Sequence, residues 1–515
     1  MTETTGHADA SAPDEQARYD TIVAGAGVAG LMVAHDLAAR GYRVLVLEAA
    51  DRTGGTAAAL ELDGLRLDAG AESFATRGGA VADLAAELGL GDDIVDPNPA
   101  GAWLLLPASG GSRGAGSHAG GSHAVPLPKQ TLLGIPATPL AKDVIAALGW
   151  GGALRAHLDR LMPVLRIGTD DALGPLVRRR MGQKVLDRLV APLAGGVYSA
   201  DPELLDVAVV APGLNGGITR TGSLSGGVAF VLEERAAASR SAAGDGLRET
   251  KPGGAVRGIR GGVHRIAERL AERALEHRAE LRTGVRVLGA SPTETGWLVE
   301  TDAGRHTASS LVVALPEREA ARLLAGVAAA PQPAEPAASP VGEPAAPPAE
   351  EPEPHAQASG DDAAPLLEAA AAPGITVELV TLVFPPGAIA GDPRGTGVLV
   401  AADATHVRAK AMTHASAKWA WLREAADGRE IVRLSYGTGA SAAGAAAGAP
   451  ATEGLDDAAA TELALEDARA ILGIDLPQPV ASARVRWSQG QPSSIIGARR
   501  RQQALRDAAA AHPNL

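Results

Sequence analysis

The feature that most narrows what this 515-residue chain can fold into is a short run near its start. Tyr19-Asp20-Thr21-Ile22-Val23-Ala24, apolar and β-branched, passes directly into Gly25-Ala26-Gly27-Val28-Ala29-Gly30. The first stretch reads as a strand and the second as a tight turn. Val28, Leu31 and Met32 then share one face of a helix that Gly41 ends, and Arg43-Val44-Leu45-Val46-Leu47 begins a second buried strand. The result is a βαβ unit. Its right-handed crossover makes the strands parallel and puts the Gly-rich turn at their carboxyl edge, where ligands bind in such sheets. The turn fits G-x-G-x-x-G, in which glycines let the backbone amides around Val28 and Ala29 approach a pyrophosphate at the positive end of the helix. Glu48, followed by Ala49, ends the second strand 18 residues after Gly30, placed to accept hydrogen bonds from a ribose diol. A carboxylate there repels a 2′-phosphate, so the pattern favours the ADP moiety of FAD or NAD over that of NADP.

Composition bounds the rest. Aromatic residues make up only 3% of a chain that is 46% hydrophobic, so its core is expected to be Ala, Val and Leu. Lys+Arg 47 against Asp+Glu 60 gives a net charge of −13, which disfavours nucleic acid as a partner because phosphate neutralisation dominates that binding. The absence of cysteine excludes disulfides, iron–sulfur clusters, thiolate zinc sites and Cys nucleophiles, and fits a reducing cytoplasm. His118 and His123 lie in a Gly/Ser loop without further ligands, so no metal is expected. The stretch 1–18 carries acids and no apolar segment and reads as a disordered tail rather than a signal or transit sequence. No run is apolar enough to span a bilayer, which leaves peripheral membrane contact open.

Further along, Val81, Leu84, Ala85 and Leu88 mark a helix stopped by Gly89, Asp143 to Arg188 is mainly helical, and Leu189 to Asp206 reads as a loop. A helix over Val263 to Leu275 precedes strands at Val285-Arg286-Val287, Trp297-Leu298-Val299 and Leu311 to Leu315. Residues 328–372 hold 17 alanines and 10 prolines in 45 positions and read as a linker.

The residues from Glu48 onward separate FAD from NAD. Glu48-Ala49-Ala50-Asp51-Arg52-Thr53-Gly54-Gly55, then Leu67-Asp68-Ala69-Gly70-Ala71-Glu72-Ser73, resembles the FAD-binding start of the amine oxidase, phytoene desaturase and protoporphyrinogen oxidase superfamily. Pro126-Leu127-Pro128, Leu133-Gly134-Ile135-Pro136, Pro192 to Pro202, Gly261-Gly262-Val263-His264-Arg265 and Lys418-Trp419 are similar to the porphyrinogen oxidase branch, in its actinobacterial form. The resemblance implies an α/β fold: a Rossmann-like FAD-binding domain interleaved with an α+β substrate domain. It implies FAD-binding parts at 19–96 and 257–327, an incomplete third part at 481–515, and substrate-domain parts at 97–256 and 373–480. It places Arg52 by the phosphates, lets the cofactor pass close to Gly54, Gly55, Thr56 and the Gly70, Ala71, Glu72, Ser73 stretch, and sets Val287 near the adenine and Trp487 beside the flavin. Arg77 is then the expected basic contact for a propionate-bearing tetrapyrrole, with Gly195, Gly196 and Tyr198 lining its cavity.

Such enzymes oxidise a porphyrinogen through FAD in haem biosynthesis, with oxygen as the acceptor. The flavin bears the chemistry, so no catalytic side chain is expected. Coproporphyrinogen III is the favoured substrate. Protoporphyrinogen IX oxidase, another flavin amine oxidase or desaturase, and a truncated non-catalytic paralogue are the alternatives. Two departures motivate the last of these: the family's Pro-x-Tyr-x-x-Gly-His run reads Pro492 to Ala498 here without its Tyr and His, and the sequence stops at Leu515 where the family continues into a strand, Gly-rich turn and helix that close the flavin site.

Overall fold

The computed structural model describes residues 18–76, 78–107, 123–162, 172–242, 256–329, 363–371, 376–437, 450–487 and 494–515. The chain divides into two compact units, one of 1–55, 267–371 and 503–515, the other of 56–266 and 372–502.

The first unit is built on a six-stranded sheet in the order Glu280–Arg282, Val44–Leu47, Tyr19–Ala24, Gly304–Val313, Gly296–Thr301, Val287–Thr293. The first four strands are parallel and the last two antiparallel. Ile22, Val23, Ala24, Leu45, Val46 and Leu47 are all buried, on both faces, as near-continuous apolar runs require of central parallel strands. Trp297 is the largest side chain of the core around Ile22, Leu45, Val299 and Leu311, and Leu515 packs at its margin. The helix Val28–Ala39 is the crossover between the first two strands, and it buries Leu31, Ala34, His35 and Ala38. Within the stretch read as a linker, Ala363–Ala371 is a helix. It buries Leu366 and Ala369, and its Ala370 carbonyl accepts from Arg318 Nε of the helix Glu317–Ala329. Two apolar side chains packed on a neighbour stabilise what the segment's composition alone does not.

The second unit is organised by a seven-stranded sheet in the order Ala481–Trp487, Val377–Phe384, Glu430–Gly437, Ala411–His414, Gly397–Val400, Ala102–Leu106, His123–Pro126. Only Gly397–Val400 and Ala102–Leu106 pair in parallel. Its core is Leu-, Val- and Ala-rich, and the buried aromatics in it are Phe384 and Tyr436. Helices Lys142–His157, Leu173–Met181, Leu224–Ala242 and Asp457–Leu472 supply much of that core. The expected loop from Leu189 is instead helical: a π turn over Leu186–Val190 runs into an α-helix over Ala191–Val197. Pro192 stands in the first turn of the α-helix, and the Asp187 carbonyl five residues before it accepts from Ala402 N–H instead (2.9 Å). The helix that begins at Leu224 runs on to Ala242. Arg77 and His118 lie outside the described residues.

Candidate functional site

In the first unit the parallel strands end side by side at Ala24, Leu47, Arg282 and Val313, and the Gly-rich turn leaves from that edge. Gly25 N–H donates to the Leu47 carbonyl (2.8 Å), and Ala314 N–H to that of Ala24 (2.9 Å). Gly25 holds φ +102°, and a side chain on Gly30 would overlap the Gly25 carbonyl oxygen, so the turn closes only with glycine at both places. Gly27 is the N-cap of Val28–Ala39 and offers no capping side chain, and the first turn carries no acid. The helix start therefore presents backbone N–H groups and a positive dipole end to a ligand.

Glu48 is tied into the same edge. Its Oε2 accepts from Ala26 N–H (2.8 Å) and its Oε1 from Ala50 N–H (2.9 Å). Each carboxylate oxygen can take a second hydrogen bond, so a ribose diol can still be received. The Glu48 carbonyl accepts from Val285 N–H (2.8 Å), which brings the start of the strand carrying Val287 beside the acid. Gly54 N–H donates to the Ala26 carbonyl (2.8 Å) and Gly54 bridges to Gly27, so Gly54 and Gly55 border the turn. Arg52 is exposed, and among the described residues it pairs with neither Asp51 nor Glu48. The residues present thus fit an ADP moiety: open amides, a dipole end, and an acid with spare acceptor capacity.

In the second unit the sequence stretch Gly70 to Ser73 meets Trp487. The Thr56 carbonyl and the Trp487 ring stand where a side chain on Gly70 would go, and Ala71 N–H donates to that same carbonyl (2.9 Å). Glu72 is the centre of a half-buried charge cluster: Oε1 takes a hydrogen bond from Lys418 Nζ (2.6 Å) and Oε2 from Arg433 Nη1 (2.8 Å), while Arg433 Nη2 donates to the Gly70 carbonyl (2.8 Å). Burial by itself would raise the Glu72 carboxyl, but the charges of Lys418 and Arg433 outweigh it and hold the group at about 2. The Glu72 side chain is thereby committed to fixing this stretch. One strand earlier, the buried Asp68 accepts from His264 N–H (2.9 Å) and lies 2.8 Å from its Nδ1, joining the D-x-G stretch to the start of His264–Glu276.

Gly195 and Gly196 are the last-turn residues of Ala191–Val197, the first buried and the second exposed. Tyr198 follows, half-buried, with its N–H on the Ala194 carbonyl (2.9 Å). Beneath this turn lies Lys410, 6% exposed, with Nζ 3.2 Å from Ser199 Oγ. Sequence reasoning misses Lys410 and Arg433. Each is a lone base at or near a sheet strand, and only folding brings it to a partner, 211 residues away for Lys410 and 361 for Arg433. Among the described residues no three His, Asp or Glu side chains gather into a metal-binding group, and no helix is long and apolar enough to cross a membrane.

The family of flavin containing amine oxidoreductases matches residues 28–348. The chain is 23% identical to the coproporphyrinogen III oxidase of Bacillus subtilis over 504 residues, covering 96% of this chain and 92% of that one. It is 30% identical to that of Propionibacterium freudenreichii over 213 residues, 41% of this chain and only 38% of its relative. Its fold is similar to the crystal structure of a candidate protoporphyrinogen oxidase from Exiguobacterium sp. 255-15, with TM-score 0.69 and 22% identity over 96% of this chain and 92% of that one.

Proposed function

The chain belongs to the flavin containing amine oxidoreductase family, and from that premise we propose that it oxidises a porphyrinogen to the porphyrin in haem biosynthesis, with coproporphyrinogen III as its substrate. Its cofactor is FAD. The observation that carries the reading is the similarity to a coproporphyrinogen III oxidase along 92% of that protein's length. Bound FAD supplies the two-electron acceptor, and three successive oxidations take a porphyrinogen to the aromatic macrocycle. The protein's own work is to bind and orient. The amides that open Val28–Ala39 receive the pyrophosphate, Glu48 the ribose, and Arg52 stands exposed nearby as a phosphate counter-charge. Lys418 and Arg433 lock Glu72, and with it the Gly70 to Ser73 stretch against which Trp487 packs. Oxygen reoxidises the flavin in this reading, and the reaction runs in the cytoplasm.

The test compares two porphyrinogens. The FAD-loaded chain under air is expected to form fluorescent coproporphyrin from coproporphyrinogen III well above the spontaneous rate, and faster than it forms protoporphyrin from protoporphyrinogen IX. A preference for the dicarboxylate would move the assignment to protoporphyrinogen IX, and no enzyme-dependent fluorescence from either would overturn it.

A further inference from the structure

The porphyrinogen reading gives no role to Lys410 or Ser199, which meet beneath the end of the Ala191–Val197 helix. Lys410 is held rigidly: its N–H donates to the Ser435 carbonyl (2.9 Å) and its carbonyl accepts from Val400 N–H (3.0 Å), which pins the backbone between two strands of the seven-stranded sheet. The side chain runs beneath the helix end, where a Cβ on Gly195 would lie 4.0 Å from Lys410 Cδ. Its ammonium has one neutral acceptor, Ser199 Oγ at 3.2 Å. Among the described residues no carboxylate pairs with it, whereas the buried Arg180 and Arg433 have Asp159 and Glu72. Three N–H donors with one acceptor leave two to be satisfied, and a buried cation without a counter-ion is a costly arrangement. Ser199 adds to the cost, since it holds φ +52° in the left-handed region that a serine rarely adopts. Strain and an unpaired charge at one place are the mark of a site completed by something else.

We propose that Lys410 and Ser199 receive a carboxylate of the substrate, one propionate of the tetrapyrrole, beneath the Gly195 to Tyr198 turn. The inference rests on the porphyrinogen reading. A carboxylate brings the charge Lys410 lacks and two oxygens to share between the ammonium and the Ser199 hydroxyl. Leu399, against which Gly196 packs, supplies an apolar wall suited to the methylene arm of a propionate. The turn above Lys410 borders solvent, since Gly196 is exposed and Tyr198 and Ser199 are half-exposed. Burial pulls the Lys410 ammonium down to about 8, still protonated near neutrality and able to pair with an anion.

The test uses the FAD-loaded full chain and two probes, coproporphyrin III and its tetramethyl ester, with affinities read by fluorescence titration. Wild type is expected to prefer the free acid. Lys410→Met should weaken the acid about tenfold or more, leave the ester unchanged, and not lower the thermal midpoint, since it removes an unpaired charge. Lys410→Arg, which keeps the charge, should retain the preference. A structural lysine would behave otherwise: Lys410→Met would lose stability and weaken acid and ester alike. Wild type that oxidises coproporphyrinogen while Lys410→Met keeps the acid preference overturns the Lys410 assignment alone. Wild type that neither binds coproporphyrin nor oxidises its porphyrinogen overturns the porphyrinogen reading, and this assignment with it.

Discussion

Replacing Glu72 by glutamine keeps the side-chain shape and removes the one anion that Lys418 and Arg433 share. The native carboxyl titrates at about 2 against an ordinary 4.5. That depression is stability present above pH 4.5, where the unfolded chain is also ionised, and lost as pH falls through about 2. A gap of 4.5 − 2, at about 1.4 kcal/mol per pH unit, is worth about 3 kcal/mol at pH 7. The side chain is only 15% exposed, so solvent does little to reduce the figure. Urea unfolding followed by tryptophan fluorescence reads it well, because Trp419 and Trp421 line the same pocket as Glu72 and Arg433. Glu72→Gln is expected to be about 3 kcal/mol less stable than wild type at pH 7, with the gap falling to less than half at pH 3. A variant within 1 kcal/mol of wild type at pH 7, or a gap that does not shrink in acid, would refute the reasoning.

Two further outcomes concern the fold and the cofactor. Gly30→Val puts a branched side chain onto the Gly25 carbonyl, so the purified protein should lose its retained flavin absorbance after gel filtration while the second unit's circular dichroism persists; a variant that keeps its flavin would remove the turn from the site. Asp159 is fully buried, pairs with Arg180 Nε at 2.5 Å and accepts from Ser225 N–H at 2.9 Å, so Asp159→Ala should cost about 3–5 kcal/mol in urea unfolding by stranding the guanidinium. A loss under 1 kcal/mol would mean that the Met162 and Gly222 carbonyls, which Arg180 Nη2 already meets, suffice for the guanidinium.

The first βαβ unit is legible because its signals are local: a β-branched run, glycines at fixed offsets and an acid at the end of the next strand lie within thirty residues of one another. The structure sets Gly25, Gly30 and Glu48 at one sheet edge through that short-range pattern. The helix over Ala191–Val197 looks like a loop in the sequence because Pro192 and the pair Gly195-Gly196 depress helix propensity, and tertiary packing overrides that. The helix Ala363–Ala371 is hidden for a related reason, since its stability comes from the helix it packs on rather than from its own composition. The Glu72 cluster and Lys410 are out of reach for a different one. A charge that becomes buried leaves no periodic signature, and the partners are hundreds of residues apart.

The central claim is that electrons pass from a porphyrinogen to the flavin held by this chain, and an anaerobic spectrum tests it most directly. Mixed with excess coproporphyrinogen III in the absence of oxygen, the FAD-loaded protein should lose its flavin absorbance faster than free FAD does, with coproporphyrin absorbance rising alongside and the flavin colour returning on admission of air. A flavin band that stays oxidised while porphyrin forms only at the spontaneous rate would contradict the account.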